Sequence, residues 1–439
     1  MGTLTSKPAS CPFDQLMQVK RERAKSMGFI PGKASEFYFL CKNNEIDEVR
    51  QILEDKSSPS IDELNQLQPN GSTPLHVATF NNHLEIVKLL LEHGCPRSTL
   101  NRYGHTAYDE AQCNEMKELF SRPNSTSRFH ETNPSNAISM YFPEDDITNV
   151  DASRTANYIH LFRTKSEIFE YSLNKETTAM WLKFYNWFCQ TFRTFIEREE
   201  LRVDAFDLTN HLDFKQFLER NLSDPEKYAK TIQSINEAKR RDSIEPLISL
   251  YTSEDAGFYR PFNYTLTQSS SNIDANEHLC DRYVIEFHIR HQELKQRAFT
   301  GIIYRGATIS VSDFAVYQHA MNSNPPGVIG LKAFTSASRD PLIALNFAFR
   351  NPLKEGEKYA LFSFEILEAT PTIFGVDDVS DFKYEQEVLI LPGNLFTVAK
   401  IEEQSHPQIT KIYLSHWEVS ISFWEKIKQT IRAGKKSVI

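Results

Sequence analysis

Two glutamates, Glu385 and Glu387, stand one residue apart directly ahead of the apolar run Val388-Leu389-Ile390-Leu391. A buried carboxylate without a partner is costly, so two of them leading a core strand need a chemical reason. Side chains of an extended strand alternate faces, which sends Glu385 and Glu387 one way and Gln386 the other. Two carboxylates roughly 6–7 Å apart on one face can contact two different reactants at once. Two further short signals precede them: Ile303-Tyr304-Arg305-Gly306, then Phe334-Thr335-Ser336-Ala337-Ser338. Each alone has a plain structural explanation. Glu-x-Glu recurs at Glu197/Glu199 and Glu355/Glu357, where helix or loop surface accounts for it. An arginine ending a strand is usually a surface ion pair, and Ser338 before Arg339-Asp340-Pro341 reads as a helix N-cap.

These residues need rigid elements to carry them. Short β-branched and aromatic runs at Tyr283-Val284-Ile285, 300–304, 360–366, 388–391 and 412–414 are bounded by Gly, Pro, Asn and charged residues and predict strands. Ahead of them Trp181, Phe184, Tyr185, Phe188, Phe192, Phe195 and Ile196 recur at steps of three and four, the period of an amphipathic helix packing a core. Helical pattern continues to about residue 249. Many short strands behind a helical lobe predict an α+β domain with its site among strand ends. The Ser-, Asn-, Thr- and Pro-rich stretch 121–150 reads as a linker.

Before the linker the texture is repetitive. Residues 70–96 contain Gly71, then Thr73-Pro74-Leu75-His76, then a helix carried by Leu84, Ile86, Val87, Leu89, Leu90 and Leu91 that stops at Gly94. Gly104-His105-Thr106-Ala107-Tyr108 restarts the pattern 33 residues after Gly71. Upstream, residues 37–53 set Ile46, Val49, Ile52 and Leu53 where Leu84, Val87, Leu90 and Leu91 stand. This unit resembles the ankyrin repeat in residues and period, and about three copies are enough for a stable stack. The resemblance implies a protein-binding scaffold.

Composition narrows the field. The 439 residues are 24% charged and 12% aromatic with net charge −9, which suits folded domains and argues against nucleic acid as the main partner. Cys11, Cys41, Cys95, Cys113, Cys189 and Cys280 include no Cys-x-x-Cys pair and read as reduced intracellular thiols. No run approaches the roughly 18–20 apolar residues of a membrane helix, and the N-terminus lacks a secretory core, so a cytoplasmic location is expected. Met1-Gly2-Thr3-Leu4-Thr5-Ser6 fits an N-myristoylation pattern at Gly2. One such chain holds a membrane only weakly. Lys20, Arg21, Arg23 and Lys25 either assist it or form a solvated helix face.

Taken together and in order, Arg305, Ser336-Ala337-Ser338 and Glu385-Gln386-Glu387 resemble the Arg, Ser-x-Ser, Glu-x-Glu signature of arginine-specific mono-ADP-ribosyltransferases. Tyr251-Thr252 followed by Tyr259-Arg260-Pro261-Phe262-Asn263 resembles the helical element ahead of that family's core. The likeness covers about residues 245–400 and implies a helical lobe with a two-sheet β core, with NAD or NADP as co-substrate and no metal. It implies that Glu387 meets the ribose 2′-hydroxyl, where positive charge develops as nicotinamide leaves. It implies that Glu385 pairs with the acceptor guanidinium, that Phe382 or Tyr384 packs against the acceptor, and that Arg305 grips a phosphate. Gly306 would let the backbone approach the nicotinamide, and Ser336 would hold Glu387. The absent signal peptide, disulfides and lipid-anchor signal depart from the vertebrate members, as do repeats ahead of the domain.

The chain therefore divides into an N-terminal segment 1–33, repeats 34–122, a linker 123–150, a transferase domain 151–428 (lobe 151–249, core 250–428) and a basic tail 429–439. The expected function is transfer of ADP-ribose from NAD to arginine of proteins bound through the repeats. NAD hydrolysis or a non-arginine acceptor is the alternative on the same fold. A non-catalytic adaptor is the alternative of another class.

Overall fold

The computed structural model describes residues 11–26, 32–55, 58–121, 159–161, 212–253, 256–268, 281–323, 327–331, 333–350, 352–405 and 408–417. Gly2, most of the linker, the aromatic stripe 181–196 and the basic tail lie outside them. Two compact units emerge: residues 1–126 with 376–387, and residues 127–375 with 388–439. The segment 376–387, which sequence assigns to the core of the second unit, clusters with the first.

In the first unit α1 (Pro12–Ser26) precedes a series of short helices: α2 (Glu36–Asn43), α3 (Ile46–Glu54), α4 (Ile61–Leu64), α5 (Pro74–Phe80), α6 (Leu84–Glu92) and α7 (Asn114–Leu119). Residues 37–53 form the expected helix pair. The spacing of apolar positions decides what is buried: Cys41, Val49, Ala78, Ile86, Val87, Leu90 and Met116 join one core along the stack. Burying each large side chain of this kind contributes about 1.5–3 kcal/mol. The turn between repeats forces Gly71 to φ 81°, and a Cβ there would stand 2.5 Å from Arg102 Cβ. Glycine alone meets both demands.

His76 ties one repeat to the next. Thr73 caps α5, its hydroxyl accepting from the His76 N–H, and Pro74 takes the first helical position. The imidazole Nε2 lies 3.1 Å from the His105 carbonyl, which can only accept, so Nε2 carries the proton. Nδ1 therefore accepts from the Thr73 hydroxyl at 2.7 Å. Burial first of all pushes the His76 pKa down to about 4, against the opposing hydrogen bond to His105.

The second unit holds α8 (Leu212–Asn221), α9 (Pro225–Arg241), α10 (Glu245–Thr252), α11 (Tyr259–Gln268), α12 (Asp281–Ile289) and α13 (His291–Arg297), then α14 (Val311–Asn322) and α15 (Pro341–Ala348) set between strands. Its strands are β1 (Ile159–Leu161), β2 (Gly301–Ser310), β3 (Val328–Leu331), β4 (Thr335–Ser338), β5 (Glu357–Ile366), β6 (Ile373–Gly375), β7 (Glu387–Ile390), β8 (Leu395–Ser405) and β9 (Gln408–His416). They join in the order β1-β3-β8-β9-β5-β2-β4-β7-β6. The expected two-sheet core is thus one hydrogen-bonded sheet, pinched at a seam. β2 pairs with β5 through ten residues but with β4 through one, Tyr304 opposite Ser338.

One predicted strand is a helix. Tyr283-Val284-Ile285 lies in α12, where Tyr283, Val284 and Phe287 are buried at helical spacing. Tyr283 and Phe287 join Phe258, Phe262 and Phe334 in an aromatic cluster with centroid separations of 4.9–6.2 Å. A three-residue window cannot separate a strand from a fully buried helix face. Among the described residues, no helix is long and apolar enough to cross a membrane.

Because His76 is depressed from 6.5 to about 4 in the folded chain, the unfolded chain binds the extra proton between these values. Its stabilising contribution is fully present above pH 6.5 and is lost as pH falls toward 4, by up to roughly 3 kcal/mol at about 1.4 kcal/mol per unit. Urea unfolding of the full chain at pH 7 and pH 4.5 should show a smaller loss in His76→Gln than in the parent. Identical losses would contradict the assignment.

Candidate active site

Three consecutive strands carry the residues singled out from the sequence. Arg305 lies in β2, Ser336 and Ser338 in β4, and Glu387 opens β7. Ser336, Ser338 and Glu387 are buried. One of the five N–H groups of Arg305, on Nη1, donates to the Ser336 carbonyl at 2.9 Å, bracing β4 across the seam. The arginine expected to grip a phosphate straps its neighbouring strand in the structure.

The Tyr251 to Asn263 stretch supplies a second brace. Asn263, from α11, donates through Nδ2 to the Tyr251 hydroxyl at 2.8 Å and to the Phe334 carbonyl at 3.3 Å. The Tyr251 hydroxyl lies 3.5 Å from the same carbonyl. Tyr251, Asn263 and Phe334 are all buried, in a setting where such bonds are strong and costly to lose. Tyr251 and Asn263 are therefore positioning residues for β4. Sequence pattern located their segment without showing what it holds.

The expected N-cap at Ser338 is displaced by two residues. Asp340 caps α15, accepting from the Leu342 N–H at 2.8 Å. Ser338 closes β4 instead, and its hydroxyl accepts from the Asp340 N–H at 3.0 Å. Asp340 precedes Pro341, whose fixed φ suits the first helical position.

Gly306 acquires a packing reason of its own. A Cβ there would sit 1.7 Å from the Ala344 carbonyl oxygen and 2.8 Å from the Ala348 nitrogen. Helix α15 crosses β2 so closely that only hydrogen fits.

The two glutamates do not share a strand, which corrects the alternation derived from sequence. Glu385 ends a short 3₁₀ turn, Lys383–Glu385, and Gln386 takes φ 46°, ψ 51° before β7 begins at Glu387. That left-handed conformation costs a non-glycine residue roughly 1–2 kcal/mol. It redirects the chain between the carboxylates, and both are fully buried. The Glu387 carbonyl accepts from the Val376 N–H at 3.1 Å. The Tyr384 hydroxyl donates to Glu385 Oε1 at 3.2 Å. Phe382 is buried beside them in sequence, and its N–H donates to the Ser380 hydroxyl at 3.2 Å.

Residues 37–121 match the family described as ankyrin repeats, in three copies, so this part of the chain is an ankyrin stack. The mouse (Mus musculus) Ankyrin repeat domain-containing protein 13B is 39% identical over 88 residues, 20% of this chain and 13% of its own length. The chain thus spans only a small fraction of the curated relative it matches. Among solved structures, the Vis toxin, an ADP-ribosyltransferase from Vibrio splendidus, has a TM-score of 0.27 at 16% identity, covering 59% of this chain and 88% of its own. The ADP-ribosyltransferase HopU1 of Pseudomonas syringae has a TM-score of 0.33 at 16% identity, covering 50% and 98% respectively. Scores this low add no weight to a functional assignment.

Gly306→Ala should lower the thermal unfolding midpoint by several degrees, since overpacking of this kind typically costs about 1–3 kcal/mol or more. The obstacle is backbone, so trimming Ala344 should not restore it. An unchanged midpoint would contradict the close crossing.

Proposed function

We propose that the chain transfers ADP-ribose from NAD to arginine side chains of proteins, releasing nicotinamide. The observation that supports this most is the succession of Arg305, Ser336 and Glu387 on β2, β4 and β7. The donor set suits the ligand. A guanidinium fork fits phosphate oxygens, while a hydroxyl and a buried carboxylate fit a ribose. NAD serves here as a substrate.

Glu387 is held at the head of a buried strand and faces little reorganisation when charge appears nearby. The bond between ribose C1′ and the nicotinamide nitrogen breaks with its electron pair going to nicotinamide, and C1′ becomes positive. A fixed carboxylate hydrogen-bonded to the 2′-hydroxyl stabilises that charge as it forms. Ser336 steadies Glu387, and Arg305 fixes the phosphates so that C1′ stays in place.

The acceptor guanidinium is planar, protonated and a poor nucleophile. Glu385 pairs with it and favours loss of its proton as the new carbon–nitrogen bond forms. Phe382 stacks against its plane. The ankyrin repeats act as the protein-binding module. Gly306 borders the nicotinamide, a role compatible with its packing against α15.

Nicotinamide release from NAD, measured with and without agmatine as an arginine analogue, tests the assignment. Glu387→Ala should abolish both hydrolysis and transfer, by about 10²–10³-fold as for other lost transition-state contacts. Glu385→Gln should lose transfer yet keep hydrolysis. Full transfer in both variants would overturn the site. No nicotinamide release from the unaltered chain would leave a non-catalytic adaptor.

A further inference from the structure

Residues 376–387 carry Phe382, Tyr384 and Glu385 and belong to the same compact unit as α1 and the ankyrin stack. Within that unit the segment is held by specific contacts. Lys383 Nζ bonds Asp109 Oδ2 at 2.5 Å, with both side chains largely withdrawn from solvent. Asp109 is itself fixed by the Thr106 N–H at 2.9 Å and hydroxyl at 3.0 Å. Burial raises the Asp109 carboxyl, but the hydrogen bond and charge of Lys383 outweigh it and hold the pKa below the usual range. Lys20 of α1 bonds Asp378 at 2.5 Å. The rings of Tyr108 and Tyr384 lie 6.3 Å apart.

Arg97, in the turn after α6, is the unexpected member. Its guanidinium carbon lies 5.3 Å from the centroid of the Phe382 ring. Its Nε is buried without a hydrogen-bond partner. Withdrawing a guanidinium N–H from water without an acceptor costs free energy. Stacking on the acceptor-side ring is also the geometry an incoming arginine would adopt.

We propose that the ankyrin stack is a built-in gate on the acceptor subsite. Arg97 stands on Phe382 in place of the acceptor guanidinium, and the Asp109–Lys383 pair latches the turn that carries Glu385. This rests on the function proposed above and adds its regulation. With the latch closed, Phe382 and Glu385 are buried and out of reach of a protein side chain. Hydrolysis of NAD relies on Glu387 and needs no acceptor, so the gate acts on transfer alone. A protein that binds the stack and draws Arg97 or Asp109 away opens it, to the extent that it prefers the open form.

The test uses the full chain with NAD and agmatine, and hydrogen exchange of the 376–387 peptide as a readout independent of activity. Arg97→Ala should raise kcat/KM for agmatine at least about fivefold, the lower end of typical coupling between sites. The gain should come mainly through KM, with nicotinamide release in the absence of agmatine nearly unchanged. Asp109→Lys should do the same and speed exchange of the peptide, and Asp109→Lys with Lys383→Asp should return both toward the parent. Agmatine transfer that falls or stays level in Arg97→Ala overturns the gate. Exchange that is level in Asp109→Lys overturns the latch. Nicotinamide release from no form would overturn the proposed function and the gate with it, while exchange would still report the latch.

Discussion

The four residues of β4 are held by side chains as well as by the sheet. The strand is buried along its whole length and pairs with β2 at one position, Tyr304 opposite Ser338. Its other neighbour in the sheet is β7. Arg305 straps it from one side through the Ser336 carbonyl, and Asn263 and Tyr251 hold the Phe334 carbonyl just ahead of it. β4 stands beside β7, the strand that Glu387 opens, so these bonds brace the neighbour of Glu387. Phe262 and Phe287, from α11 and α12, pack around Phe334 and brace the chain where it enters β4.

The left-handed Gln386 between Glu385 and Glu387 gives the two carboxylates different supports. Glu387 belongs to a strand, where buried neighbours at Val388, Leu389 and Ile390 give it one position. Glu385 belongs to a turn whose neighbours Phe382, Lys383 and Tyr384 contact the ankyrin unit. One carboxylate is set by the sheet, and the other answers to the repeats. Strain of this kind at Gln386 persists only where surrounding structure holds it, and it is commonest at sites that work or switch.

Much of this was legible in the sequence, for physical reasons that differ between elements. The repeats were, because helix-period apolar spacing recurred 33 residues apart with glycine and Thr-Pro punctuation. The β5, β7 and β9 strands were, because their apolar runs are bounded by turn residues. β4 was not: Thr335-Ser336-Ala337-Ser338 has neither alternation nor bulk, and its strand character comes from partners distant in sequence. Tyr283-Val284-Ile285 misled because β-branched and aromatic residues also fill a buried helix face. The chemical types at Arg305, Ser336 and Glu387 were readable, and the three residues lie on strands β2, β4 and β7. The turn at Glu385–Gln386 was not, since glutamine carries no signal for a left-handed backbone. Nor was Arg97, whose interest lies in what it stacks on.

The central assignment is the chemistry at the end of β7, and its acceptor is the sharpest part of it. Incubating the full chain with labelled NAD and a cell lysate, then locating the modified side chain by fragmentation mass spectrometry, reads both together. ADP-ribose joined to arginine nitrogen, absent with Glu387→Ala, is the expected result. Label confined to another side chain type would contradict the acceptor assignment, and no protein-bound label with no nicotinamide released would contradict the site.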